Sequence, residues 1–446
     1  MKQRLVILGG GESGVGAAVL GKQKNYEVFI SDVGVILPEY KKMLIKEEVS
    51  FEENSHSKKL ILNASIVVKS PGIPDSNLLV RELIEKDVLV VSEIEFASWY
   101  TDAKLIGITG SNGKTTTTSL TYHILKYAGL NVGVAGNIGQ SFAFQVATCD
   151  YDFYVLELSS FQLDGVDKLK LDVSVLLNIT PDHLDRYNNS IEQYINSKFN
   201  IIKNTDEKSV FIYNLDDVNI TNRIKQLSLL NSAYGFTLNP LRGKGAGVEN
   251  GNLCLDINSP IRILESNVSL RGKHNAYNVM ASAIIASVLN VKTENIISAV
   301  KSFQPIEHRM ERVTNINGVE YINDSKATNV DSTFYALDSI EKDVVWIAGG
   351  VDKGNDYSQL IPLVRSKVLG MVCLGKDNKK LHDVFENLVD QIDDALSADE
   401  AVEKATSMAK EGCTVLLSPA CASFDLFKNY EDRGQKFKKG IIKLNQ

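Results

Sequence analysis

The sequence predicts an α/β protein of three domains, on three observations. Short runs rich in Val, Ile and Leu alternate with helix-length amphipathic stretches, the rhythm of parallel strands joined by crossover helices. Two strand-to-helix junctions are rich in glycine, one around Gly9-Gly10-Gly11 and one around Gly110-Ser111-Asn112-Gly113. The 446 residues amount to about three domains at roughly 150 residues each. With 44% hydrophobic and 23% charged residues the chain is too apolar for disorder. No apolar run approaches the roughly 18 residues of a membrane span, and glycines cut off Leu5-Val6-Ile7-Leu8 too early for a signal-peptide core. A cytoplasmic protein with no membrane partner is therefore expected. A formal charge of -7 argues against a nucleic-acid partner held by a basic face. The five cysteines contain no Cys-x-x-Cys pair, so buried thiols are expected in place of disulfides or a zinc ribbon.

The first strand, residues 4–8, runs into the glycine turn and a helix, and residues 27–30 form a second strand ending at Ser31-Asp32. Gly9, Gly11 and Gly14 spell G-x-G-x-x-G with Asp32 about 20 residues beyond, which makes the first domain Rossmann-like. The physical content of that motif is narrow. Backbone N–H groups at a helix N-terminus approach a pyrophosphate, and a strand-end carboxylate accepts hydrogen bonds from a sugar or base, so any nucleotide diphosphate fits.

A domain boundary is placed near residue 95, before a strand at residues 105–108. The following Thr109-Gly110-Ser111-Asn112-Gly113-Lys114-Thr115-Thr116 lies between strand and helix, the context of a phosphate cradle. Ile108 stands where the usual loop has its first glycine, so Gly110 and Gly113 do the bending. Lys114 would neutralise β- and γ-phosphate charge, Thr115 would offer its hydroxyl to Mg²⁺, and ATP or a relative is the expected cofactor. An ordinary glycine turn is the alternative, but a lysine followed by four threonines at a helix start has no packing rationale. The helix is expected to bury Leu120, Ile124 and Tyr127 on one face and to stop at Gly129.

Further along, Tyr154-Val155-Leu156-Glu157-Leu158 reads as a buried strand whose single charge, Glu157, needs a cation such as Mg²⁺. A buried run over residues 173–177 opens into Asn178-Ile179-Thr180-Pro181-Asp182-His183-Leu184-Asp185-Arg186, a polar loop at the carboxyl end of a strand. His183 is a candidate ligand there or else a structural histidine. In the helix beginning near Ser190, the apolar positions Ile191, Tyr194, Ile195, Ile201 and Ile202 define an inward face that also carries Lys198. Lys198 either snorkels to a rim or keeps a neutral amine available for modification to an anion. Arg242-Gly243-Lys244-Gly245-Ala246-Gly247 lacks a strand before and a helix after it, and with Asn250-Gly251 it reads as a solvated hairpin. A helical pattern over residues 281–300 ends at Phe303-Gln304-Pro305, where the third domain begins. Strands at residues 344–348, 369–374 and 414–417, spaced by helices, make that domain Rossmann-like as well.

Taken in order, these motifs resemble those of the Mur ligases of peptidoglycan synthesis. The likeness spans the whole chain: the variant phosphate loop, Glu157-Leu158-Ser159-Ser160-Phe161-Gln162, Asp182-His183-Leu184-Asp185-Arg186 followed by Lys198, and Arg271-Gly272-Lys273-His274-Asn275. It continues through His308-Arg309, Asn323-Asp324-Ser325-Lys326-Ala327-Thr328-Asn329 and Ser418-Pro419-Ala420-Cys421-Ala422-Ser423-Phe424-Asp425. The resemblance implies a sugar-nucleotide domain at residues 1–94, a central ATP-binding domain at 95–303 and an amino-acid domain at 304–446. It implies that Ser13, Asp32, Ser70, Asn137 and Ser159 line the UDP-sugar substrate, and that Gly110, Ser111, Asn112, Gly113, Lys114, Thr115 and Thr116 hold ATP. Asn275, Arg309, Asp324 and Lys326 would complete the nucleotide contacts. Thr115, Glu157 and His183 would bind Mg²⁺, with Lys198 carrying a CO2-derived carbamate beside the metal. The branch that adds D-glutamate to UDP-N-acetylmuramoyl-L-alanine is favoured by Thr328, Lys353, Ser423, Phe424 and Tyr430, a set suited to a dicarboxylate. The Asp-Asn-Pro-Arg signature of the diamino-acid branch is absent. The family's example implies a monomer. A nucleotide-hydrolysing switch, a nucleotide-sugar binding protein and a folate-glutamate ligase are the competing readings.

Overall fold

The computed structural model describes residues 2–227, 232–270, 272–304, 306–352 and 354–444. They form two compact units, one of residues 1–268 and 276–302, the other of residues 269–275 and 303–446.

The first unit holds two sheets. Five parallel strands lie in the order Ser50–Glu52, Glu27–Ser31, Arg4–Leu8, Ile66–Lys69 and Leu89–Val91. The central strand is apolar at nearly every position because helices cover both faces. The second sheet has nine strands, in the order Pro260–Leu264, Asn252–Asp256, Gly245–Glu249, Ala233–Phe236, Val210–Asn214, Val173–Leu176, Lys104–Thr109, Phe153–Glu157 and Val132–Gly136. Its last seven strands are parallel and the first two pair antiparallel. Asn250 and Gly251, at φ 50° and 69°, make the two-residue turn of the expected hairpin, although its strand at Gly245 is buried where a solvated one was expected.

One hydrophobic cluster runs through both sheets of this unit, from Leu5, Ile7 and Val15 through Ile94 and Phe96 to Phe142, Tyr154 and Leu171. The helix Glu12–Gln23 comes close enough to the second sheet's Ser141 that a Cβ on Gly16 would lie 2.0 Å from its Oγ. At the same joint, Glu93 is only 3% exposed, and its Oε1 accepts hydrogen bonds from Ser141 Oγ and Ala143 N–H, both at 2.6 Å. Burial, with Glu12 nearby, pushes its carboxyl up to about 7 from an ordinary 4.5, against the pull of those donors. Between those values the native protein keeps a proton that the unfolded chain has released, so stability falls as pH rises through that window. The shift corresponds to roughly 3 kcal/mol as an upper bound. Glu93→Gln keeps an acceptor without the charge. Relative to it, the wild type is expected to lose about 1–3 kcal/mol in urea unfolding between pH 4.5 and 8. Parallel pH dependences for the two proteins would refute this account.

Three local expectations need correction. The pattern over residues 281–300 is two helices, Lys273–Val288 and Thr293–Ser302, separated where Asn290 takes φ 60°. Tyr127 is 51% exposed: it lies in the last turn of the helix Lys114–Tyr127, past the sheet that buries Leu120 and Ile124. All five cysteines are free thiols, but Cys149 is exposed just past the end of the helix Phe142–Thr148, and Cys254 is half-buried because it alternates with the buried Leu253 and Leu255 along its strand.

The second unit is a six-stranded sheet in the order Glu311–Ile316, Val319–Asn323, Thr414–Leu417, Val344–Ala348, Val368–Leu374 and Gln391–Ala395. The first pair is an antiparallel hairpin turned by Asn317-Gly318, and the rest are parallel. Helices Val330–Ser339 and Ala398–Met408 are among those covering its faces. Among the described residues no helix is long and apolar enough to cross a membrane.

Candidate active site

In the first unit the strand Lys104–Thr109 ends at the glycine loop, and the helix Lys114–Tyr127 begins immediately after it. Gly113 precedes the helix in the left-handed region, φ 81°, and offers no side-chain cap, so the first-turn amides are directed at the space above the loop. Only glycine fits: a Cβ there would lie 2.5 Å from Asn278 Oδ1, which accepts from Thr117 Oγ1 at 3.1 Å. The loop is clamped to the neighbouring strand end. Asn112 N–H donates to Asn178 Oδ1 at 2.8 Å and Asn178 Nδ2 returns a bond to Asn112 O at 3.1 Å. Ser111 Oγ donates to Thr180 O at 2.8 Å and accepts from Thr180 N–H at 2.9 Å. Lys114 folds over the loop, with Nζ 2.7 Å from Gly110 O and 2.8 Å from Ser111 O, and Thr115 and Thr116 are buried in the first helical turn.

A second amine reaches the same carbonyl. Lys198 lies on the inward face of the helix Ile191–Phe199, which is capped by Ser190 and begins where the sequence placed it, and is only 1% exposed. Its Nζ donates to Gly110 O at 2.8 Å and sits 4.6 Å from the centre of the Tyr194 ring. The ammonium therefore does not reach a rim, as snorkelling requires. Burial above all, and then the charge of Lys114, hold its pKa well below the ordinary lysine value, with Asp182 and Asp164 opposing. Burial and the charge of Lys114 thus shift the balance towards the neutral amine.

Glu157 ends its strand 1% exposed. Its Oε1 accepts from Asn137 Nδ2 at 3.0 Å, while its Oε2 is buried with no hydrogen-bond partner. A buried, orphaned carboxylate oxygen is a donor that fits a hard divalent cation. His183 takes φ 53° at the strand-end loop, with Nε2 3.7 Å from Asp182 Oδ2 and its ring T-shaped against Phe161. Lys114, Asn137, Ser159, His183 and Lys198 line one cavity of about 220 Å³, together with Asp182, Tyr194 and Pro71-Gly72 from the first sheet. Ser159 also caps the helix Ser160–Asp164 in a capping box with Gln162.

At the N-terminal sheet, Asp32 uses one carboxylate oxygen on the glycine turn, accepting from Gly10 N–H at 2.6 Å, and the other on its own loop, accepting from Gly34 N–H at 2.7 Å. Ser13 lies in the first turn of the helix Glu12–Gln23, whose N-cap Gly11 leaves the amides uncapped. Ser70 follows the neighbouring strand Ile66–Lys69 and donates its N–H to Leu8 O at 2.9 Å.

In the second unit, Asn275 is buried in the first turn of its helix, with N–H bonded to Gly272 O at 3.0 Å. Asp324 is buried at a strand end, accepting from Ser418 Oγ at 3.0 Å and Met310 N–H at 3.2 Å. Burial pushes its carboxyl up to about 7, against these donors and the charges of Arg309 and Arg433. Lys326 Nζ lies 4.9 Å from the centre of the Tyr430 ring, Thr328 is two residues beyond, and Ser423 is buried. Phe424 is 73% exposed, and Lys353 lies outside the described residues.

Sequence reasoning missed Arg433, which is fully buried. Its guanidinium donates to Ser325 Oγ, Ser325 O, Gly349 O and Cys421 O at 2.8–3.3 Å, tying three strand-end loops together. The signal was available: Arg433, Phe437 and Ile441 recur every four residues on the inward face of the helix Tyr430–Lys443. Tyr194 and Asn178 were passed over because neither residue type announces a role.

Three family models match the chain: the MurD N-terminal domain over residues 4–78, the Mur ligase middle domain over 108–286, and the Mur ligase glutamate ligase domain over 308–421. The chain is 50% identical over 445 residues to the UDP-N-acetylmuramoylalanine--D-glutamate ligase of Christiangramia forsetii, covering 100% of both chains. It is 47% identical to the protein of that name from Porphyromonas gingivalis, covering 100% of this chain and 99% of the other. It is 48% identical to that from Bacteroides fragilis, with 99% and 100% covered. Among solved structures, a pseudomurein peptide ligase type C from Methanothermus fervidus shares the fold at a TM-score of 0.63 and 20% identity, covering all of both chains. The UDP-N-acetylmuramate-alanine ligase of Thermotoga maritima does so at 0.62 and 16%, covering 99% of this chain and 100% of the other.

Proposed function

The chain belongs to the Mur ligase family, and from that premise we propose how its residues carry out the reaction. It is an ATP-dependent ligase that joins D-glutamate to UDP-N-acetylmuramoyl-L-alanine in peptidoglycan precursor synthesis. A carboxylate is a poor electrophile, so the reaction runs through an acyl phosphate. An oxygen of the alanyl carboxylate bonds to the γ-phosphorus of ATP as the bond to ADP breaks. The D-glutamate nitrogen then bonds to the acyl carbon, inorganic phosphate departs from the tetrahedral intermediate, and the ammonium proton passes to solvent.

The first step brings two anions together. Lys114 and the first helical turn at Thr115 and Thr116 would offset that repulsion, with Gly110, Ser111, Asn112 and Gly113 shaping the loop that holds the phosphates. Thr115, Glu157 and His183 would hold Mg²⁺, which supplies Lewis-acid neutralisation of the transferring phosphoryl group. Lys198, as its carbamate, would add a carboxylate to that set; its buried, neutral-favouring amine supports this reading. Ser13, Asp32, Ser70, Asn137 and Ser159 would hold the sugar nucleotide, and Asn275, Arg309, Asp324 and Lys326 would add nucleotide contacts. Thr328, Lys353, Ser423, Phe424 and Tyr430 would orient D-glutamate. These roles assign residues 1–94 to the sugar nucleotide, 95–303 to ATP and 304–446 to the amino acid. A reaction that consumes ATP and a UDP-sugar belongs in the cytoplasm, and the chain is proposed to act there as a monomer.

The observation that carries this reading is the single cavity in which Pro71-Gly72 of the first sheet face Lys114, His183 and Lys198 of the second. There a carboxylate delivered by the sugar nucleotide meets a phosphate held by the loop. The test is phosphate release from ATP with UDP-N-acetylmuramoyl-L-alanine and a panel of amino acids. Release that depends on both the sugar nucleotide and D-glutamate is expected. Hydrolysis of ATP without an amino acid would favour a nucleotide switch, and turnover with L-lysine in place of D-glutamate would overturn the substrate assignment.

A further inference from the structure

We propose that Arg186 is a positioning residue that fastens the sugar-nucleotide loop to the phosphoryl-transfer centre, so that the acceptor carboxylate arrives in register with the γ-phosphate. The proposal rests on the reaction given above and adds to it a residue with no role so far. Arg186 lies in the short helical turn Leu184–Tyr187, three residues past His183. Its guanidinium donates from Nη2 to Pro71 O at 3.3 Å and from Nη1 to Gly72 O at 3.2 Å, a fork across two successive carbonyls of the first sheet's loop. The same group lies 4.3 Å from the centre of the Phe161 ring, within cation–π range.

Phe161 is the hub of this arrangement. Its ring is T-shaped to His183 at 5.2 Å and stacked with Tyr187 at 6.1 Å, so three residues of the His183 turn pack on one side chain. Phe161 itself is the second residue of the helix Ser160–Asp164, which follows Glu157-Leu158-Ser159. Tyr187 extends the network, with its OH 2.9 Å from Asp164 Oδ2 and 3.1 Å from Ser197 Oγ, next to Lys198. His183, Arg186 and Tyr187 thus pack on one ring, and Arg186 carries that cluster across to Pro71 and Gly72 by two hydrogen bonds.

The chemistry of the contact explains why arginine stands there. Two carbonyl oxygens side by side accept from two coplanar N–H groups while the flat guanidinium face rests on an aromatic ring; lysine, with a single compact ammonium, cannot do both. Proximity catalysis is steep in distance, a misplacement of about 1 Å costing on the order of 100-fold. A loop held by two hydrogen bonds is therefore a place where rate is lost without loss of fold.

The test compares Arg186→Lys, Arg186→Ala and wild type in the full chain, with UDP-N-acetylmuramoyl-L-alanine, ATP and D-glutamate. Both variants are expected to lower kcat/KM for the sugar nucleotide by about 10- to 100-fold, with the KM for ATP within about 2-fold. Melting temperature should move by no more than about 4 °C, and backbone amides of Ser70 and Ile73 should exchange faster in both variants. Wild-type-like kinetics in Arg186→Lys would overturn the proposal, since charge alone would then suffice. A rise of more than about 10-fold in the KM for ATP would also overturn it, as it would mark a general structural role. Wild-type turnover that requires D-glutamate stands as the separate check on the reaction itself.

Discussion

Replacing Lys114 with alanine is expected to lower D-glutamate-dependent phosphate release by at least about 1,000-fold, at the upper end of what one preorganised electrostatic contact supplies. The side chain packs over its own loop, with Nζ on the carbonyls of Gly110 and Ser111, where the proposed mechanism would have it meet the phosphates. The loop does not depend on it for shape. Gly113 sets the turn, and the bonds of Ser111 and Asn112 to Asn178 and Thr180 hold the loop to the sheet. A melting temperature within about 4 °C of wild type should therefore accompany the loss. Lys114→Arg keeps the charge but not the compact ammonium, and should recover little. Dipeptide-bond synthesis unchanged in Lys114→Ala would remove the central premise of the mechanism.

The second large effect concerns Lys198. A neutral amine bonds its nitrogen to the carbon of CO2 and releases a proton to solvent, leaving an N-carboxylate; an ammonium cannot do this. Burial and the neighbouring charge of Lys114 favour the neutral amine, and the resulting anion would add a carboxylate to the residues that would hold the cation. Enzyme stripped of CO2 and bicarbonate is expected to lose most of its activity and to regain it on adding bicarbonate. ¹³C-bicarbonate should give one carbamate carbonyl resonance that is missing in Lys198→Ala. That variant should fall by about 100- to 1,000-fold in kcat while remaining folded. Activity indifferent to CO2, with no labelled resonance, would refute the modification.

The phosphate loop was legible in the chain because its chemistry is local. A strand, two glycines, a lysine and a run of threonines occupy consecutive positions, and each acts on its neighbours through backbone geometry. Lys198 was legible for a different reason: helical periodicity places it among Ile195, Tyr194 and Ile202, and a charge on an apolar face is conspicuous. That periodicity did not tell whether the ammonium escapes to a rim, because the answer depends on Gly110 O and the Tyr194 ring, which arrive from other parts of the chain. The break of the helix near Asn290 was illegible for a related reason, since residues 281–300 keep an apolar pattern across a turn.

What the amino-acid order determined by itself was the α/β class, the positions of most strands and the set of motifs that mark the chemistry, because these follow from periodicity and from short-range backbone rules. Tertiary structure alone decided which of those groups share a cavity, that one oxygen of Glu157 lacks a partner, and that Arg186 spans from Phe161 to Pro71 and Gly72. Burial and its electrostatic consequences depend on contacts between residues far apart in the chain, and no local pattern encodes how those segments pack.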